Sequence, residues 1–330
     1  MIEQEPILSL KDVSVQYDSG PEPVTVVRNV FLDVYPQEIL GLIGESGSGK
    51  STLAYTAMRL LKHASMTSGS VRIAGRDIYA MKHEELRQFR WAEVSMAFQT
   101  AMNALNPVMT VGEQILDTLK SHQTLTREEG IERAQELLQL VRLNPDTLQR
   151  YPHELSGGMR QRVVIAISIA LSPKLVIMDE PTTGLDVVIQ RTILDEIVEI
   201  QRRQHFAILF ISHDFQLVST LAQRVAIMYA GKIVEVTAGA TLHDPTALHH
   251  PYTEGLIRAV PRLSDDQATA IGIPGNPPDP RDFPKGCAYA DRCSLVQRVC
   301  REQPPELRMT GSSLIACHVV QQREAKQYGI

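Results

Sequence analysis

The feature that most limits what this chain can fold into is an eight-residue run, Gly44-Glu-Ser-Gly-Ser-Gly-Lys-Ser51. It satisfies G-x-x-x-x-G-K-[ST] at every fixed position. Before it, Glu38–Ile43 is almost continuously apolar, the pattern of a strand buried on both faces. After it, Ser51–Leu61 carries helical spacing. A glycine-rich turn in that setting lets the backbone wrap an anion without Cβ clashes and aims amides inward. The helix adds the positive end of its dipole. Lys50 is then placed for the β- and γ-phosphates of a nucleotide, and Ser51 for Mg2+. A plain Gly/Ser surface turn is the competing reading, and the fit on both flanks argues against it.

The remainder supplies a matching frame. Leu8–Tyr17, Val24–Val34 and Gly69–Gly75 read as strands. From about residue 100 to 158 the character turns helical, with Ile131, Ala134, Leu138 and Val141 on one face. Thr126 and Glu129 there have capping-box spacing. Beyond 158 the helices Met159–Leu171, Ile189–Gln204 and Leu217–Leu221 alternate with the strands Leu175–Met178, Ala207–Ile211 and Arg224–Tyr229. Such alternation predicts an α/β fold around a mainly parallel sheet. Prolines at 274, 277, 278, 280 and 284 predict an extended connector. The chain has 330 residues, 43% of them hydrophobic, enough for a sizeable core. A net charge of −5 argues against a nucleic-acid partner. No run approaches the roughly 18–20 apolar residues that span a bilayer. Met1–Pro6 lacks a basic start before an apolar run, so any membrane role is expected to be peripheral.

Three more positions gain meaning from the loop. Leu175-Val-Ile-Met-Asp179-Glu180 is an apolar strand ending in two acids. The carboxyl edge of such a sheet is where ligands bind, so Asp179 can reach Mg2+ and Glu180 an attacking water. Alone, that pair reads as a solvated turn. His213, in Ile211-Ser-His-Asp214, and Gln99, after Val94–Phe98, read alone as ordinary polar residues at strand ends.

Together these residues resemble the ATPases of ABC transporters, and Leu155-Ser-Gly-Gly-Met-Arg-Gln-Arg162 looks like that family's signature motif. The resemblance implies a P-loop fold of ABC type within residues 1–250, with an antiparallel β subdomain and a helical subdomain at about 100–158. It implies ATP held by Gly44, Glu45, Ser46, Gly47, Ser48, Gly49, Lys50, Ser51 and Thr52, with Tyr17 stacked on adenine. Mg2+ would be held by Ser51, Gln99 and Asp179. Glu180 becomes the catalytic base, His213 the γ-phosphate switch and Gln99 the lid residue. Ser156, Gly157 and Gly158 would cover the ATP of a second, head-to-tail copy, and Asp186 would lie in the loop crossing that interface. A narrower resemblance, to peptide and nickel importers, rests on Asn103-Ala-Leu-Asn-Pro107, His250-Pro-Tyr-Thr253 and Ile273-Pro-Gly-Asn-Pro-Pro278. It implies two transmembrane permease subunits, a second ATPase subunit that is a related but different chain, and an extracytoplasmic solute-binding protein. The chain would sit on the cytoplasmic side of the inner membrane. Thr100-Ala101 departs from the Asp-Pro usual after the lid glutamine, where a membrane partner would be gripped.

Residues 251–330 are expected to form a small irregular extension carrying Cys287, Cys293, Cys300 and Cys317. In a cytosolic setting, structural disulfides are disfavoured. Four thiolates suit tetrahedral Zn2+, with His318 as an alternative ligand, or an iron–sulfur cluster, and unligated thiols are the third reading. The importer resemblance implies a [4Fe–4S] cluster.

Overall fold

The computed structural model describes residues 4–18, 20, 22–97, 104–259 and 272–328. The chain divides into two compact units. One comprises Met1–Ser9, Asp33–Glu38 and Arg72–Leu209; the other comprises Leu10–Leu32, Ile39–Val71 and Phe210–Ile330.

The second unit carries the glycine-rich loop. Strand β3 (Ile39–Ile43) leads into it and is buried at all five positions, as its unbroken apolar sequence requires. It pairs in parallel with β9 (Arg224–Tyr229), Leu40 opposite Arg224 and Ile43 opposite Ile227. β9 pairs antiparallel with β10 (Lys232–Ala238). The order continues through β12 (Ser313–Ile315) to β11 (Arg308–Thr310), both pairings antiparallel. β1 (Leu8–Tyr17), β2 (Val24–Val34) and β4 (Ala64–Ile73) lie in a separate sheet, in the order β2-β1-β4.

Helix α1 (Lys50–Ala57) follows the loop and stops four residues short of the expected Leu61. Arg59 takes a left-handed φ of 51°. Its N–H donates to the Thr56 carbonyl at 3.0 Å, and the Leu60 N–H reaches the Tyr55 carbonyl at 2.7 Å. That is a Schellman ending with arginine where glycine usually stands, so no glycine marks the stop.

In the first unit, β4 ends by pairing with β5 (Arg76–Asp77), antiparallel. After α2 (His83–Ala92), the buried strand β6 (Val94–Ala97) pairs in parallel with β7 (Leu175–Asp179), Val94 opposite Leu175. Between them lie α3 (Val111–Lys120), α4 (Arg127–Leu140) and α5 (Gly157–Ser168). The expected Thr126–Glu129 capping box is formed, and Thr110 and Glu113 make a second one at α3. β7 is followed by α6 (Val187–Gln204). Strand β8 (Ala207–Ser212) is buried throughout and is shared in sequence between the two units.

Helices α7 (Phe215–Leu221) and α8 (Pro251–Ala259) belong to the second unit, and α7 packs on β3. Residues 273–284 contain neither helix nor strand, as their prolines demand. The segment beyond is more regular than expected. It holds α9 (Arg298–Glu302), the β11–β12 hairpin and α10 (His318–Tyr328). Among the described residues, no helix is long and apolar enough to cross a membrane.

Candidate functional site

The phosphate loop runs from the end of β3 to α1. Gly49 is the N-cap of α1 at φ 102°, a conformation that suits glycine, and no side chain caps the helix. A helix N-terminus favours a bound anion through its dipole and its amide donors. Lys50 is buried and folds over the loop. Its Nζ donates to the carbonyls of Gly44 and Glu45, each at 2.9 Å, and to Ser48 Oγ at 3.4 Å. Ser46 and Gly47 form the exposed tip, and Ser51 is half-buried. A cavity lies against the loop, lined in part by Glu45, Ser46, Gly47, Ser48, Tyr229 and Phe283.

Glu45 differs from its neighbours. Its amide does not stand open but donates to Tyr252 Oη at 2.9 Å. Its carboxylate forms a bidentate pair with Arg292, Nη1 to Oε2 at 2.9 Å and Nη2 to Oε1 at 3.0 Å. Tyr17 ends β1 beside α1, its hydroxyl 3.2 Å from Thr52 Oγ1. His213 is exposed, and the next residue, Asp214, caps α7 by accepting from the Leu217 amide at 3.0 Å.

The first unit presents the other expected groups. Asp179 is the last residue of β7 and is fully buried. Glu180 follows at a left-handed φ of 49°, and its Oε2 accepts from Thr183 Oγ1 at 3.0 Å. Asp186 caps α6, accepting from the Val188 and Ile189 amides. Ser156 caps α5, its hydroxyl accepting from the Met159 amide at 3.3 Å. Gly158 sits close to α6, where a Cβ would meet Ile189 Cγ2 at 3.1 Å. A bidentate pair, Arg162 Nε to Glu196 Oε2 at 2.9 Å and Nη2 to Oε1 at 2.8 Å, ties α5 to α6. Glu196 is buried, so it needs that partner. Gln99 lies outside the described residues.

The four cysteines converge. All four line one small cavity, together with His318. Cys300 and Cys317 belong to an apolar cluster with Ile315, Val319 and Val320, and Cys287 packs against it. Burial pushes the Cys287 thiol up to about 11, with the nearby cysteines adding to the rise, and burial also raises Cys293 and Cys317. His318 Nε2 lies 3.1 Å from the Gln303 carbonyl. Among the described residues, no group of three or more His, Cys, Asp or Glu is arranged to hold a metal ion. Neither a zinc site nor an iron–sulfur cluster gains geometric support from that arrangement.

Between thiol cavity and phosphate loop stands an aromatic cluster. Tyr229 lies 4.6 Å from Tyr252 and 5.2 Å from Tyr289, centroid to centroid. Arg292 sits over the rings of Tyr229 and Tyr289. Arg292, Tyr229 and Thr183 were not legible as site residues, because nothing in their spacing connects them to the loop.

Residues 27–183 match the family model for the ABC transporter, and residues 235–300 match that for the oligopeptide/dipeptide transporter, C-terminal region. The chain is 40% identical to the oligopeptide transport ATP-binding protein OppD of Escherichia coli over 94% of its length and 92% of the relative's. It is 39% identical to the dipeptide transport ATP-binding protein DppD of Haemophilus influenzae, covering 94% and 95% respectively. A solved ATP-binding cassette, MJ0796, captured as a dimer bound to ADP and Pi, superposes with a TM-score of 0.63 at 27% identity. That likeness covers 70% of this chain and 98% of the cassette.

Proposed function

The chain belongs to the ATP-binding subunits of ABC transporters, an ATPase family, and from that premise we propose that it energises uptake of di- and oligopeptides or a related solute. The supporting observation is that the likeness extends past the cassette into the oligopeptide/dipeptide C-terminal region, residues 235–300. Two permease subunits, an extracytoplasmic solute-binding protein and a second, related ATPase chain complete the proposed assembly, with this subunit on the cytoplasmic face. A groove in the first unit, lined in part by Trp91, Met96, Leu105, Met109, Val164 and Ile167, offers a permease an apolar seat.

Each residue's proposed role is that of its counterpart in the family's motifs. Lys50 and the first amides of α1 hold the β- and γ-phosphates. Ser51 and Asp179 are oxygen donors of the kind Mg2+ takes, and Gln99 is proposed as a third. When bound, Mg2+ neutralises charge on the phosphoryl oxygens. Glu180, aimed by Thr183, orients water in line with the γ-phosphate, and His213 senses that phosphate. Tyr17 stacks on adenine. Ser156, Gly157 and Gly158 face the nucleotide of the companion subunit, with Asp186 in the adjoining interface loop.

Glu180→Gln tests the catalytic assignment in the complex reconstituted in proteoliposomes. Mg-ATP binding should persist while steady-state hydrolysis disappears; full turnover by that variant would remove Glu180 from the role.

The thiol cavity carries a separate part of the proposal. Ligands of a single zinc converge within about 2.3 Å of one point. A cuboidal cluster instead meets each thiolate at its own iron, so its ligands stand further apart. Cys287, Cys293, Cys300 and Cys317 all line one cavity, which is what supports a shared ligand for the four thiols. They would hold a [4Fe–4S] cluster, which supplies a structural cross-link or a redox-sensitive one. Anaerobically purified protein should absorb broadly near about 400 nm, from sulfur-to-iron charge transfer. Colourless protein without iron on elemental analysis removes the cluster.

A further inference from the structure

The roles proposed for the loop give the Glu45 carboxylate no task of its own. It places a carboxylate inside a loop built for a polyanion, and a like charge beside a triphosphate opposes binding. The structure surrounds that carboxylate with residues from far along the chain. Arg292 pairs with it bidentately, and the Arg292 side chain is only 6% exposed. The guanidinium is itself held. Nε donates to the Pro274 carbonyl at 2.8 Å, Nη2 to the Ile273 carbonyl at 3.3 Å, and Nη1 to Tyr229 Oη at 3.2 Å. Tyr252 Oη takes the Glu45 amide. Both ends of Glu45 are therefore fixed by Tyr252 and Arg292, both in the extension that begins at 251.

We infer that Arg292 is a positioning residue for nucleotide binding: it neutralises Glu45 and anchors the phosphate loop to the C-terminal extension. This rests on the nucleotide-binding reading of the loop. Arg292 precedes Cys293, so the clamp and the thiol cavity share one short segment. A guanidinium fork suits this role where an ammonium does not, because it meets both carboxylate oxygens and a backbone carbonyl at once.

The test is a double-mutant cycle on the full chain, reading Mg-ATP affinity by calorimetry and loop protection by hydrogen exchange. Arg292→Gln should weaken Mg-ATP by about tenfold, or about 1.4 kcal/mol, and speed exchange at residues 44–50. In the Glu45→Gln background the same change should cost about threefold or less, because the charge it neutralised is gone. Unaltered affinity in Arg292→Gln, or an equal loss in both backgrounds, would overturn the inference. Circular dichroism reports whether Arg292→Gln folds. If it does not, Arg292→Lys carries the cycle, with the same dependence on Glu45 expected and additivity overturning it. Wild-type protein that fails to bind Mg-ATP would instead remove the nucleotide reading itself.

Discussion

Helices α1 and α5 both begin at a glycine-containing turn, yet their first turns are made differently. α1 starts from a left-handed Gly49 with no side-chain cap, between the buried side chains of Ser48 and Lys50. α5 starts from Ser156, which is exposed and spends its hydroxyl on the Met159 amide. The first end has no side-chain cap, and the loop before it is held by Tyr252 and Arg292 from elsewhere in its unit. The second satisfies one of its donors, the Met159 amide, through its own Ser156 hydroxyl. The proposed roles give the two ends different nucleotides: α1 its own phosphate, and α5 that of a companion subunit.

The comparison breaks most visibly at Lys50. Lys50→Ala should weaken Mg-ATP by about a hundredfold, or about 2.7 kcal/mol, by removing a charge-assisted contact to phosphate. Calorimetry on the isolated chain measures this. A change of less than threefold would mean that α1 does not own a phosphate.

Acid should separate the two ends next. His250 is fully buried, and burial pushes it down to about 3. Its neutral Nδ1 accepts from the Tyr252 amide at 3.1 Å, and Tyr252 in turn takes the Glu45 amide. An unfolded histidine protonates near about 6.5, so this contribution is intact above that pH. It is lost on acidification towards about 3, by up to about 1.4 kcal/mol per pH unit. His249 runs the other way. Burial alone would lower it, but the bond to Glu235 at 2.6 Å raises it overall. Its stabilisation is complete below about 6.5 and lost as pH rises through its raised value, so it does not flatten the acid slope. Urea titrations from pH 7 to 4 should show that slope, and His250→Gln should reduce it.

The smallest effect belongs to Ser156. Ser156→Ala should cost about 1 kcal/mol of stability through the lost cap, and leave Mg-ATP binding to the isolated chain within about twofold. A large loss of binding would show that α5 serves the chain's own nucleotide.

What could be read from the sequence was local. The loop, its flanking strand, the β7 acids and the Thr126 cap all depend on residues within a few positions of one another. β9 was anticipated at its observed limits, Arg224–Tyr229. What escaped was either unmarked or distant. The early end of α1 hides behind Arg59 in place of glycine. β4 starts at Ala64, earlier than the expected Gly69, through a small polar run that alternates weakly. β10 and the β11–β12 hairpin are short, and the pairing that joins β10 to β12 spans many residues. Glu45 and Arg292 lie almost at opposite ends of the chain, and only folding shows that a carboxylate in the loop and an arginine beside Cys293 belong together.

The pairing of β10 with β12 also has a consequence for biosynthesis. β10 is complete at Ala238, but the strand that covers its outer edge begins at Ser313, about 75 residues later. At roughly 5–20 residues per second, translation leaves that edge bare for about 4–15 s. A bare, apolar strand edge recruits other strands. Nascent chains stalled before the hairpin are therefore the species a chaperone must attend, and the Thr237–Ser313 hydroxyl pair, 2.7 Å apart and buried, forms only when that window closes.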